Sequence, residues 1–128
     1  SVAEVQGDRL AAASKLARDL ACVVVLKGSG STVATPDGPP WINASGNAAL
    51  ATPGSGDVLA GWLGAALAQA PTCDVAGCVA AVRQAVWLHG HAADRACRLR
   101  GDGPSPRLPL RALDLVDAMS AAAAVLAA

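Results

Sequence analysis

The residues best suited to chemistry are Gly54, Ser55, Gly56 and Asp57, set between Leu50-Ala51-Thr52-Pro53 and the apolar run Val58-Leu59-Ala60-Gly61-Trp62-Leu63. Glycines at 54 and 56 permit turn geometries closed to other residues and let backbone N–H groups come close to a ligand. Where such a turn opens a helix, those groups add to the free donors and positive dipole end of the helix and make an anion site. Asp57 then stands at its mouth, where a carboxylate takes a proton from a hydroxyl held against the bound anion. That is phosphate chemistry. The plainer reading is a loop with an N-cap aspartate. The flanks weigh against it: Val58 to Ala68 carries no charge on any face, which predicts a helix in the middle of a core, able to hold the loop rigidly.

Other elements must bring further groups to such a loop. Ser1 with Glu4 fits a capping box, and Val5, Leu10, Ala13, Ala17 and Leu20 recur at helical spacing, predicting an amphipathic surface helix. Cys22-Val23-Val24-Val25-Leu26 is a short β-branched run, as expected of a strand covered on both faces in a parallel sheet. It ends in Lys27-Gly28-Ser29-Gly30-Ser31, which puts a lysine at the carboxyl end of a buried strand, where open α/β sheets bind ligands. The dinucleotide fingerprint is excluded because the third glycine is missing and a strand follows. A Walker loop is excluded because Asp57 follows Gly56 where a lysine is required. Thr32-Val33-Ala34 and Trp41-Ile42-Asn43 read as a hairpin whose turn chemistry comes from Pro36, Asp37 and Gly38.

A second polar turn, Asn43-Ala44-Ser45-Gly46-Asn47, leads into the Gly54–Asp57 loop and offers Gly46 and Asn47 to a nucleotide as well. Past Ala70-Pro71-Thr72, Asp74 caps a further helix with Val75, Cys78, Val79, Val82, Val86, His89 and Ala93 on one face. His89 and His91 are two apart and form no ligand pair; each reads as a packed or hydrogen-bonded histidine. Gly101 to Pro106 is a loop, and a last helix carries Leu113, Val116, Asp117 and Met119.

The chain has 128 residues, with ten basic and ten acidic side chains. That length fits a single domain over 1–128 with one core, burying roughly two-thirds of its unfolded surface. The even charge argues against nucleic acid or an anionic membrane as partner. Apolar stretches are cut by glycine short of the ~20 residues that span a bilayer. Three of Cys22, Cys73, Cys78 and Cys97 lie in apolar segments, where a thiol packs as a small hydrophobe. Cys73 and Cys78 lack a second pair at zinc spacing, so no metal site is expected. With no signal peptide and unpaired thiols, the expected compartment is the cytoplasm. Ser1 to Glu4 looks like the start of a helix more than of a gene product, so the chain is expected to be a fragment.

Together these residues resemble the C-terminal part of the ADP- or ATP-dependent NAD(P)H-hydrate dehydratases, of the ribokinase-like superfamily. The resemblance rests on Val24-Val25-Leu26-Lys27-Gly28-x-Gly30-Ser31, on Pro36-Asp37-Gly38, and on Trp41-Ile42-Asn43-x-x-Gly46-Asn47-x-x-Leu50-Ala51-Thr52. It continues through Gly54-Ser55-Gly56-Asp57-Val58-Leu59-Ala60-Gly61 and Leu88-His89-Gly90-x-Ala92-x-Asp94. Pro53 stands where many members have glycine, and Ser31 where many have threonine. Serine keeps the hydroxyl, while Pro53 removes one N–H, leaving the anion hole to the donors of residues 54 to 57.

The resemblance implies an α/β, ribokinase-like fold: a central, mostly parallel sheet flanked by helices, of which this chain is the C-terminal half. It implies that Lys27, Gly28, Ser29, Gly30 and Ser31 lie along the phosphates and ribose of ADP or ATP, with Gly46 and Asn47 beside the nucleotide and Mg2+ accompanying it. Gly54, Ser55 and Gly56 would form the anion hole, and Asp57 would bind the substrate and act as base. The implied substrate is hydrated NADH or NADPH, whose ring hydroxyl is phosphorylated and lost as phosphate; a homo-oligomer is expected. Two alternatives stay open: a vitamin or sugar-alcohol kinase of the same superfamily, whose loop and base would serve equally, and a non-catalytic nucleotide-binding fragment.

Overall fold

A computed structural model of the chain describes residues 1–70, 74–102, 106 and 108–126. Pro71, Thr72, Cys73, Gly103, Pro104, Ser105, Arg107, Ala127 and Ala128 lie outside them, and with them half of the expected Gly101–Pro106 loop and Cys73 of the Cys73–Cys78 pair. The chain divides into two compact units, Ser1–Ala44 and Ser45–Ala128.

In the first unit, helices α1 (Val2–Gly7) and α2 (Arg9–Leu20) precede strands β1 (Val24–Leu26), β2 (Thr32–Ala34) and β3 (Trp41–Ile42). The capping box is present, with Glu4 N–H on Ser1 Oγ and the Glu4 carboxylate on the Ser1 amine. The single helix expected here is broken at Asp8, whose extended backbone (φ −148°) ends α1. Its carboxylate accepts from Ala11 N–H at 2.9 Å and starts α2. A strong N-cap residue within a helical pattern competes with the helix for backbone donors and restarts it. The apolar stripe is correspondingly thin: Ala13 and Ala17 are buried against Ala34, Val24 and Leu26, while Leu10 and Leu20 stay exposed.

The sheet order is β1-β2-β3, both pairings antiparallel, with Val25 opposite Val33 and Val33 opposite Trp41. The parallel pairing expected of the Cys22–Leu26 run is therefore not among those described. Nor is that strand covered on both faces: β1 is half-buried along its length, an edge strand, and it is the central β2 that is fully buried. Cys22, expected to pack, is exposed just ahead of it. The hairpin turn forms as its residues require, with Gly38 at φ +90° and the Thr35 hydroxyl donating to the Asp37 carbonyl.

The second unit is helical. A 3-10 turn, α3 (Ser55–Ala68), α4 (Val75–Leu99) and α5 (Ala112–Leu126) surround a cluster of Ala49, Leu88, Ala92, Ala93, Cys97, Leu110, Leu115, Met119 and Ala122. Asp74 caps α4 as expected, its carboxylate accepting Gly77 N–H at 2.7 Å. The buried face of α5 is Leu115–Met119–Ala122, and Leu113 and Val116 point to solvent. At its start the Arg111 guanidinium holds the Asp114 carboxyl below the usual carboxylate range.

Helix α3 departs most from expectation. Past Asp57 its sequence is apolar all round, yet only Ser55 and Leu59 are buried, and Leu67 is 41% exposed. An apolar stretch is buried only where other elements cover every side; here α4 and α5 pack against it and the remaining surface meets solvent.

Two glycines in these helices respond to a side chain in opposite ways. A Cβ on Gly90 would lie 2.3 Å from Ser45 Oγ and 2.6 Å from the Ser45 carbonyl atoms, whereas a Cβ on Gly61 meets nothing within 4 Å. Gly90→Ala should destabilise this chain by about 1–3 kcal/mol through overpacking. Gly61→Ala should stabilise it by up to about 1 kcal/mol through helix propensity. Urea titration of both variants reads the two signs.

Candidate functional site

The Gly54–Asp57 run is a helix N-terminus. Gly54 is the N-cap of α3 in the left-handed region, φ +84° and ψ −13°, which an L side chain rarely adopts. Gly56 has no such backbone: it lies inside the helix, so the turn geometry expected of both glycines belongs to Gly54 alone. Asp57 is likewise not the cap but the third helical residue, exposed and in the first turn.

No side chain caps this end. Ser55 N–H reaches the Thr52 carbonyl at 3.3 Å, and the helix's first bond runs from Val58 N–H to the Gly54 carbonyl at 3.1 Å. The N–H groups of Gly56 and Asp57 therefore precede the intrahelical ladder and, with the dipole, favour an anion. The Ser55 side chain turns the other way. Its residue is 6% exposed and its hydroxyl donates to the Leu50 carbonyl at 2.9 Å, so it braces the loop, and its contribution to an anion is confined to the backbone.

The loop is held from α4. The ring of His89, itself 5% exposed, donates from Nε2 to the Ser55 carbonyl at 2.9 Å, which bears out the reading of a hydrogen-bonded histidine. His91 stacks instead on Trp87, ring centroids 4.5 Å apart. Asp94 takes Gly46 N–H on one carboxylate oxygen at 2.8 Å and Asn47 Nδ2 on the other at 2.7 Å. Asn47 Oδ1 accepts Ala49 N–H at 2.9 Å and opens the 3-10 turn Ala48–Leu50. Ser45 Oγ donates to the Trp87 carbonyl at 2.8 Å. Gly46 and Asn47, expected beside a nucleotide, are thus also the residues through which the loop is tied to α4.

In the first unit, Lys27 to Gly30 form an exposed turn after β1. Gly28 and Gly30 both have positive φ. The Ser31 hydroxyl closes the turn on itself, donating to the Gly28 carbonyl at 3.1 Å and accepting Gly28 N–H at 3.3 Å. Beneath it the Arg9 guanidinium donates to the carbonyls of Leu26 at 3.1 Å and Lys27 at 3.0 Å. The structure therefore brings Lys27, Gly28, Ser29, Gly30 and Ser31 together in one unit, and Gly46, Asn47, Gly54, Ser55, Gly56 and Asp57 in the other.

Arg9, His89 and Asp94 have no functional assignment from sequence. Arg9 reads there as one more charge on a helix's polar side. For Asp94 a signal existed: a carboxylate set among Ala92, Ala93 and Ala96 must find hydrogen-bond donors. Among the described residues no three of His, Cys, Asp and Glu are grouped to hold a metal ion, and no helix is long and apolar enough to cross a membrane.

The profile of the family described as NAD(P)H-hydrate dehydratase matches residues 1–109. An ADP-dependent (S)-NAD(P)H-hydrate dehydratase of Neisseria meningitidis serogroup B is 50% identical over 94 residues, 73% of this chain and 30% of that protein. A bifunctional NAD(P)H-hydrate repair enzyme of Moorella thermoacetica is 43% identical over 101 residues, 79% of this chain and 18% of that protein. The ADP/ATP-dependent NAD(P)H-hydrate dehydratase of Bacillus subtilis, co-crystallized with ATP and Mg2+, matches with a TM-score of 0.76 at 35% identity. That match covers 97% of this chain and 41% of the other. The chain thus spans well under half the length of each relative. With its motifs, its α/β elements and these matches in agreement, the chain belongs to the NAD(P)H-hydrate dehydratase family, of ribokinase-like fold.

Proposed function

We propose that this chain is the nucleotide- and phosphoryl-handling part of an ADP- or ATP-dependent dehydratase that returns hydrated NADH and NADPH to the normal reduced cofactors. Residues 1–128 are then the C-terminal portion of a ribokinase-like domain. The observation that carries the reading is the start of α3: a left-handed glycine cap, no side chain closing the helix end, and an exposed carboxylate three residues on. The names of the relatives supply the reaction, and the geometry supports it by offering backbone donors to an anion and a base to a hydroxyl.

Bound nucleotide would supply the phosphoryl group, and Mg2+ accompanying it would offset the phosphate charge. The N–H groups of Gly56 and Asp57 and the α3 dipole hold the phosphoryl oxygens. A carboxylate oxygen of Asp57 takes the proton of the substrate's ring hydroxyl as that oxygen is phosphorylated; the carbon–oxygen bond then breaks with the pair leaving on phosphate, and the neighbouring ring carbon gives up a proton to solvent as the ring double bond re-forms. Lys27 and the Gly28–Ser31 turn, closed by its internal hydroxyl bonds, are the proposed contacts to the phosphates and ribose from the first unit, and Gly46 and Asn47 are proposed nucleotide contacts in the second. The same reading makes the protein cytoplasmic and a homo-oligomer, without nucleic acid or membrane as partner; balanced charge supports the last of these.

Incubation of the full gene product with hydrated NADH and either ADP or ATP should consume the hydrate with release of phosphate. Persistence of the hydrate, together with phosphorylation of a vitamin or sugar alcohol, would make the protein a kinase instead.

Asp57→Asn separates base from helix-end charge. The side chain is exposed and does not cap α3, so melting temperature and ADP affinity should stay near the parent's. Turnover should fall by on the order of a hundredfold to ten-thousandfold, the usual worth of a general base. A rate within about threefold of the parent, far inside that range, would remove Asp57 from the mechanism.

Gly56→Val tests the anion site. A branched side chain in the first turn crowds the approach to the open N–H groups, although the backbone there is ordinary helix. ADP affinity by calorimetry should weaken in a protein that still folds.

A further inference from the structure

Asp94 lies 37 positions beyond Asp57 and has no part in the proton transfer just described. We infer that it is a positioning residue for the phosphate loop, acting through Asn47. Both carboxylate oxygens are engaged, one by Gly46 N–H at 2.8 Å and one by Asn47 Nδ2 at 2.7 Å. Bonds to an ionised acceptor are roughly twice as strong as neutral ones, so this contact fixes which way the Asn47 amide faces. That orientation is what the next link needs. With Nδ2 turned to Asp94, Oδ1 is left to accept Ala49 N–H at 2.9 Å and the Cys97 thiol at 3.7 Å. The 3-10 turn that follows presents the Leu50 carbonyl to the Ser55 hydroxyl at 2.9 Å, and the Ser55 carbonyl in turn receives His89 Nε2–H. The run from Gly46 to Ser55 is thereby anchored on α4 at both ends, and the open N–H groups of Gly56 and Asp57 follow directly from its second anchor.

The same bonds bear on Asn47 itself. Its amide oxygen has both lone pairs occupied, and one of its two N–H groups is given to Asp94, so a single N–H remains for a ligand. Its main task is to transmit orientation from α4 to the loop. This inference rests on the proposed function only for what the loop binds; the linkage itself has its own readout.

The test uses the full-length protein with Asp94→Asn, Asn47→Asp and the two exchanged together. Asp94→Asn sets an amide N–H against the Asn47 N–H, and Asn47→Asp sets two carboxylates against each other, so each loses a bond. The exchanged pair restores the set with its polarity reversed: position 94 donates to position 47 and still accepts Gly46 N–H, while position 47 still accepts Ala49 N–H. Without nucleotide, each single variant should speed hydrogen exchange at Gly46 and Ala49 and also at Ser55 and Val58. Each should weaken ADP binding by about tenfold or more, as expected for a lost bond to a charged group. The exchanged pair should return hydrogen exchange at these four positions to within about threefold of the parent; ADP binding is not the readout for the pair, because an aspartate at 47 takes away the N–H left for the ligand.

If the pair is no better than the singles, or if faster exchange stops short of Ser55 and Val58, the inference is overturned. If the parent itself fails to bind ADP, the nucleotide reading falls and the exchange pattern alone decides the linkage. Should a single variant not fold, the comparison of the exchanged pair with the parent decides it in the same way.

Discussion

Ser45 lies against Gly90 so closely that a single added carbon would overlap its backbone. The turn from Ser45 to Asn47 is held on α4 at that approach. It brings the Gly46 N–H and the Asn47 amide within reach of Asp94, and one helical turn earlier it lets Ser45 Oγ bond the Trp87 carbonyl. A packed helix is a rigid element, and a loop laid along its backbone takes on that rigidity. The apolar side of α4 is meanwhile committed to Leu115, Met119 and Ala122 of α5. One helix thus serves the core through its methyl groups and the loop through His89, Gly90 and Asp94.

Much of this was legible in the chain before any coordinates. The glycine cap at 54, the hairpin turn at Pro36-Asp37-Gly38 and the Asp74 cap each follow from local chemistry, in which one or two residues decide a backbone geometry. The motif set points to the family through residues at fixed intervals, and the family profile matches residues 1–109. What the sequence did not disclose involves partners distant in the chain. That Asp94 is the acceptor for Gly46 depends on how a 25-residue helix lies against a turn nearly fifty positions earlier, which no spacing rule reports.

The expectations that failed did so for a shared reason. Hydrophobicity states what a segment would gain from cover, not whether cover is supplied. Past Asp57 helix α3 is apolar on every side, which predicts a central position, but its described neighbours cover only part of its circumference. Cys22 and Leu113 are exposed for the same reason, and β1 is only half-buried. The break at Asp8 is of another kind: the periodicity of α1 and α2 is continuous enough to conceal a residue that prefers to begin a helix over extending one.

The sequential arrangement of the second unit has a kinetic consequence. Helix α3 packs on α4 and α4 on α5, so contacts form between elements adjacent in the chain, and topologies dominated by such local contacts are the quick ones to fold. The bonds from Asp94 instead close loops of 47 and 48 positions, and a loop of that length carries a larger entropic cost than a helical hairpin. The order that chain entropy favours is therefore helices first and the Gly46–Asn47 turn last. The segment that would meet the nucleotide takes its shape only once the scaffold beneath it has already docked.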